Sequence, residues 1–191
     1  SRGILQNSIP KRTNIPIVLR VSSGNSILNE DLSNEELCVS IEDAIRLNAS
    51  AVAFSIYIGG AYEHQTIVEF SKLVNDAHRY GLPVLAVTAV GKDMNRDLRY
   101  LSLASRIAVE LGADIVKTYY CEGFSELIAA CPVPVVIAGG KKVPELDALE
   151  FAHKAISDGA AGVDMGRNIF QSDSPENMIQ AVRSVVVNGV E

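Results

Sequence analysis

Six short apolar runs recur along the chain with amphipathic stretches between them, and this alternation limits the possible folds more than any other feature. The runs are residues 16–21 ("PIVLRV"), 51–58 ("AVAFSIYI"), 83–90 ("PVLAVTAV"), 114–120 ("DIVKTYY"), 134–138 ("PVVIA") and 162–165 ("GVDM"). Their length and apolar content predict β-strands. Between or after them, "NEELCVSIEDAIRLNA", "TIVEFSKLVNDAHRYG", "DLRYLSLASRIAVELG", "EGFSELIAA" and "PELDALEFAHKAISDG" place apolar residues near helical spacing. "RYGLP", "ELGAD" and "SDGAAG" each put a glycine just past a helix and just before a strand, where a left-handed cap is usual. A strand–helix repeat of about 30 residues is the βαβ unit, whose crossover is right-handed and whose sheet is parallel. Strands this uniformly apolar must be covered on both faces.

Two architectures satisfy that pattern, an open doubly wound sheet and part of a (β/α)8 barrel. A dinucleotide-binding sheet would carry GxGxxG after its first strand, and the chain has none, which favours the barrel. A complete barrel takes about 250 residues and eight units, so 191 residues fall roughly two units short. The opening "SRGILQNSIPKR" reads as the end of a strand and its following loop, without an initiator Met, while "MIQAVRSVVVNGVE" reads as the helix after the last strand. The expectation is an α/β fold, a (β/α)8 TIM barrel with the first strands missing from this chain. Residues 1–191 would form a single barrel domain, from roughly the end of strand two or strand three through strand eight and its helix.

Composition narrows the function. A hydrophobic content of 48% and a mean hydropathy of +0.17 suit a globular chain rather than a disordered one. A formal net charge of −6, a pI near 5.1 and no long Lys/Arg cluster argue against a polyanion-binding surface, so no nucleic acid partner is expected. Neither a bilayer-length apolar run nor a signal-peptide pattern occurs, which predicts no membrane association and a cytoplasmic location. Cys38, Cys121 and Cys131 are odd in number and form no CxxC pair, so reduced thiols are expected rather than disulfides or a zinc site, and no metal.

"GADIVKTYY" then poses a question, because Lys117 lies inside a run that otherwise reads as a buried strand. Counting back from the last strand as the eighth makes this the sixth, with "PVVIAGGKK" the seventh and "GVDMGRNIF" the eighth. Barrels of this kind place catalytic groups at the C-terminal ends of strands and often hold phosphate on the loops after strands seven and eight. Gly139 and Gly140 follow strand seven, where a backbone without side chains can approach phosphate oxygens. Gly166 and Arg167 follow strand eight, with a guanidinium suited to phosphate. A desolvated Lys117 would have its pKa lowered toward the range in which free amine exists. A free amine could attack a ketone and form a Schiff base, an electron sink for carbon–carbon cleavage. The alternative is a strand-end lysine that snorkels to solvent or pairs with an aspartate such as Asp164.

These segments, together with "LPVLAVTAVGKDMNRD" and "YIGGAYEHQ", resemble over essentially the whole chain the class I aldolase family that includes archaeal-type fructose-bisphosphate aldolase. Within it they look most like a bacterial thiolase branch that processes phosphorylated autoinducer-2. The resemblance implies that Lys117 forms the Schiff base and that Gly139, Gly140, Gly166 and Arg167 bind the substrate phosphate. It further implies transfer of an acetyl group from 3-hydroxy-5-phosphonooxypentane-2,4-dione to coenzyme A, giving dihydroxyacetone phosphate and acetyl-CoA in degradation of a quorum-sensing signal. The partners would be a phosphorylated ketone and coenzyme A as co-substrate, with no bound cofactor and a homo-oligomeric assembly. Two departures from the family stand out. Its first-strand Asp-His-Gly motif does not occur here, and "AVTAVGKDM" offers Thr88 and Lys92 where the fructose-bisphosphate aldolases use a tyrosine. Tyr119 and Lys142 are positional candidates for the acid/base, Asp164 for orienting Arg167 or Lys117, and His64 and His153 are assigned no role. An aldolase acting on another phosphorylated ketose, or a non-catalytic barrel binding phosphorylated metabolites, are the other readings.

Overall fold

The computed structural model describes residues 1–8, 14–26, 28–29, 31–90 and 95–189. All six expected strands are present and form one parallel sheet. In chain order they are β1 (Val18–Arg20), β4 (Ala51–Ile58), β5 (Val84–Val90), β6 (Ile115–Thr118), β7 (Val135–Ala138) and β8 (Gly162–Asp164), and each pairs with the next. A two-stranded antiparallel piece, β2 (Ser22–Ser23) with β3 (Glu36–Leu37), stands beyond the C-terminal end of β1. The sheet does not close among the described residues, since β1 and β8 each pair on one side only.

The helices are α1 (Arg2–Asn7), α2 (Ile41–Arg46), α3 (Glu63–Arg79), α4 (Leu98–Glu110), α5 (Phe124–Ala130), α6 (Glu145–Ser157), α7 (Arg167–Phe170) and α8 (Pro175–Asn188). Phe70, Leu73, Val74 and Ala77 of α3 are buried at helical spacing, as are Leu101, Ala104, Ser105 and Ala108 of α4. Alternation along the strands sorts the two faces. Phe54 of β4 points outward to Phe70, with ring centroids 6.2 Å apart, while Ser55 and Tyr57 on the other parity line the concave side. The expected glycine turns are found, with positive φ of 66° at Gly81, 97° at Gly112 and 102° at Gly159, each ending a helix just before a strand. A second cluster, Ala148, Ala152, Met165, Met178, Val182 and Val185, packs α6 and α8 behind β8.

Two expectations fail. The N-terminal stretch is helical over Arg2–Asn7 rather than the end of a strand: Leu5 N–H reaches the Ser1 carbonyl at 3.1 Å, Asn7 Nδ2 donates to the Gly3 carbonyl at 2.8 Å, and Leu5 packs against the core. "NEELCVSIEDAIRLNA" is not one helix either. Ser40 is extended and caps α2 by accepting from Asp43 N–H at 3.2 Å, so the residues before it are free to pair as β3. No helix among the described residues is long and apolar enough to cross a membrane.

Candidate active site

Parallel register sets the site. Val87, Lys117, Val136 and Gly162 are successive partners across β5 to β8, so Lys117 projects from the middle of the sheet into its concave face. There a cleft of about 350 Å³ opens at the C-terminal ends of the strands. Its lining brings together every residue singled out for the site: Lys117, Gly139, Gly140, Gly166 and Arg167, with Asp164 among them.

Lys117 Nζ lies 2.7 Å from Asp164 Oδ2, with the lysine side chain 20% and the aspartate 53% exposed. The environment is therefore not the apolar isolation expected for this lysine. Its amine meets a carboxylate on the next strand but one, the pairing the sequence left open as an alternative. This does not silence the amine, because a carboxylate within hydrogen-bond reach is also placed to exchange its proton. Arg167 has no acidic partner among the described residues and lines the same cleft.

The glycines earn their positions sterically. A Cβ on Gly139 would stand 2.9 Å from Met165 Cα and 2.8 Å from its Cγ, so the β7 and β8 chains pass too closely for any side chain. Gly140 has φ +67° with open space around it. The loop after β7 is held from behind by Asn168, which is 3% exposed. Its Nδ2 donates to the carbonyls of Gly139 (2.7 Å) and Lys141 (3.3 Å), and its Oδ1 accepts from Val143 N–H at 2.9 Å.

Of the acid/base candidates, Tyr119 lines the cleft, with the Arg96 guanidinium 3.9 Å over its ring. Lys142 does not, since its ammonium donates to the Gln171 carbonyl. Thr88 lines the cleft, but its hydroxyl donates to the Lys117 carbonyl at 3.1 Å and so joins β5 to β6. Lys92 lies outside the described residues, and His64 and His153 are not in the lining.

The far wall of the cleft carries a polar cluster the sequence reading did not single out. Arg20 Nη2 sits 2.7 Å from each Glu35 oxygen and 2.5 Å from Ser55 Oγ, and Glu35 also accepts from Ser22 Oγ (2.6 Å) and Tyr57 OH (3.2 Å). Burial and the Glu35 charge push the Tyr57 phenol upward, against the pull of Arg20, which keeps it a donor. The signal for Arg20 was present, because "PIVLRV" puts a charge inside an apolar strand just as "GADIVKTYY" does. Among the described residues, no group of three or more His, Cys, Asp or Glu is placed to hold a metal, and all three cysteines are unpaired.

The model of the DeoC/LacD aldolase family matches residues 3–172. The chain belongs to the DeoC/LacD family of aldolases. Two curated relatives named 3-hydroxy-5-phosphonooxypentane-2,4-dione thiolase are similar over 187 residues, or 97% of the chain. That of Klebsiella pneumoniae is 61% identical and that of Photorhabdus laumondii 60%. The chain spans 63% and 64% of their respective lengths. An archaeal fructose 1,6-bisphosphate aldolase crystal structure superposes with a TM-score of 0.89 at 31% identity, covering 98% of this chain and 77% of the other. A second archaeal aldolase structure, with its catalytic Lys covalently bound to the carbinolamine intermediate of the substrate, gives 0.88 at 30% identity over 97% and 76%. The curved six-stranded sheet of this DeoC/LacD-family chain is thus the corresponding run of units of a (β/α)8 barrel.

Proposed function

We propose that this aldolase-family chain uses Lys117 to form a Schiff base with a phosphorylated ketone, and that the reaction is acetyl transfer from 3-hydroxy-5-phosphonooxypentane-2,4-dione to coenzyme A. The observation that carries the reading is the cleft itself. It sets a lysine paired to a carboxylate at 2.7 Å in one cavity with an arginine that has no acidic partner among the described residues, beside two glycine loops. The names of the similar thiolases supply the substrate, and the captured carbinolamine of the archaeal aldolase supports the role of the lysine.

The chemistry balances. The Lys117 amine adds to the C4 carbonyl and loses water, giving an iminium. The coenzyme A thiolate adds to C2, the C2–C3 bond breaks, and its electron pair moves into the iminium as an enamine. Protonation at C3 and hydrolysis release dihydroxyacetone phosphate and free lysine, while C2 leaves as acetyl-CoA. Asp164 exchanges the proton of the amine. Arg167, with the backbone of Gly139, Gly140 and Gly166, anchors the phosphate and so fixes which carbonyl reaches Lys117. The same reading places the protein in cytoplasmic degradation of phosphorylated autoinducer-2 and in an assembly of several copies.

Intact mass after borohydride treatment with dihydroxyacetone phosphate tests the imine. A substrate-sized adduct on the folded protein that disappears in Lys117→Ala is expected, and no adduct would overturn the assignment. Acetyl-CoA formed from the diketone and coenzyme A then tests the transfer. Cleavage without coenzyme A would point instead to an aldolase acting on another phosphorylated ketose.

A further inference from the structure

The two loops of the proposed phosphate site come from different strands, and the last main-chain contact between them is Gly139 N–H to the Asp164 carbonyl at 3.2 Å. Beyond that point they are joined inside the protein by one side chain. Asn168 lies in the first turn of α7, is almost wholly buried, and makes three side-chain hydrogen bonds to the other loop: its Nδ2 donates to the Gly139 and Lys141 carbonyls, and its Oδ1 accepts from Val143 N–H. Because two partners are carbonyls and one is an N–H, the amide can sit in one orientation only. Lys142 to the Gln171 carbonyl and Ser172 to Glu145 join the same segments at the exposed rim.

The consequence follows from the planar trans peptide. The Gly139 carbonyl and the Gly140 N–H belong to the same unit and point in opposite directions. Fixing the Gly139 carbonyl on buried Asn168 turns the Gly140 N–H away from Asn168, and both glycines line the cleft. That N–H donates to no protein group among the described residues. We propose that Asn168 is a positioning residue: it aims the Gly140 N–H at the phosphate of the substrate and locks the β7 and β8 loops into one anion-binding unit. It touches no substrate itself. Pre-aiming a donor avoids the ordering that a free glycine loop would otherwise undergo on binding.

This rests on the Schiff-base reading, and the test separates the two. Borohydride trapping is titrated with dihydroxyacetone phosphate and with unphosphorylated dihydroxyacetone, for the parent and for Asn168→Ala and Asn168→Asp. The aspartate keeps the acceptor for Val143 and removes both donors. In both variants the half-saturating concentration of the phosphorylated ketone should rise about tenfold or more, with that of dihydroxyacetone unchanged. An equal loss for both ketones, or no loss for either, would overturn the role. A parent that traps neither ketone refutes the Schiff base instead. In that event, or if the variants do not fold, titration of the parent with inorganic phosphate followed by amide NMR decides. The Gly140 N–H resonance should shift markedly, and a stationary Gly140 signal would overturn the proposal.

Discussion

Replacing Gly139 by alanine tests whether the close approach of β7 to β8 is a structural necessity. The added methyl would stand 2.9 Å from Met165 Cα. That neighbour is backbone, so no rotamer change relieves it, and about half an ångström of separation between the strands is needed to reach ordinary van der Waals contact. Forced expansion of a packed interior costs about 1–3 kcal/mol, and for a domain of this size each kcal/mol lowers the melting temperature by about 2–4 °C. A loss of roughly 2 kcal/mol would thus lower it by roughly 4–8 °C. The neighbouring glycines provide graded controls. At Gly140 the new methyl meets nothing within 4 Å but must adopt φ +67°, a strain of about 1–2 kcal/mol. At Gly166 it meets only Phe170 Cε1, at 3.4 Å, and the change should stay within about 0.5 kcal/mol. Urea titrations of the three variants should therefore rank Gly139→Ala as least stable and Gly166→Ala as nearest the parent. A Gly139→Ala protein as stable as Gly166→Ala would show that the two strands yield freely there, and the steric account of this glycine would fail.

Two further outcomes follow from buried polar groups. Arg20→Ala leaves the carboxylate of Glu35, 9% exposed, with only Ser22 and Tyr57 as partners among the described residues, and should cost about 2–3 kcal/mol by chemical denaturation. The Arg20→Ala, Glu35→Gln double variant should recover part of that loss, and simple additivity would refute the pairing. Tyr120 is pushed up to about 12 by burial and then by its 2.5 Å hydrogen bond to Asp158. A raised phenol pKa favours the neutral group in the folded state, so its contribution is complete below pH about 10 and is lost as pH rises through about 12. Tyr120→Phe should accordingly be less stable than the parent at pH about 8, by about 1 kcal/mol, and the gap should close as the pH approaches 12. A gap that widens at alkaline pH would contradict the sign.

The sheet was legible because its strands are predominantly apolar runs and three of the helix–strand turns carry a glycine, at Gly81, Gly112 and Gly159, signals that survive without tertiary context. The short elements were not. α7 is one turn whose amphipathic pattern is too brief to register, and β3 pairs with residues about fourteen positions away, a partnership no local pattern announces. Asn168 was invisible for a related reason. An asparagine between Arg167 and Ile169 is an ordinary turn residue by sequence, and its burial depends on a loop that starts 29 residues earlier. The environment of Lys117 was misjudged because "IVKTYY" reads as apolar along the chain, whereas a strand residue's surroundings come from across the sheet, in this case Asp164 two strands away.

The charge of the cleft follows the same logic and connects it to its ligand. By composition the chain is acidic, with net charge −6, and no local run of basic residues offsets it. Yet the cleft lining contains Arg20, Lys117 and Arg167 against a single carboxylate, Asp164. Successive cations lie 97 and 50 residues apart in sequence and converge because each stands near or just beyond the C-terminal end of a strand in a parallel sheet, where all such ends face one way. Two of them are held by carboxylates, Arg20 by Glu35 and Lys117 by Asp164, so Arg167 is the cation whose charge is left for an incoming anion. A dianionic phosphate gains most by placing itself there. The acidic remainder of the surface disfavours large polyanions, so the field selects a small anion small enough to enter the cleft. An Arg167→Lys change keeps the charge but removes the bidentate fork. It should weaken trapping of dihydroxyacetone phosphate while leaving unphosphorylated dihydroxyacetone unaffected, and equal trapping of the phosphorylated ketone by the two proteins would mean that phosphate is held elsewhere.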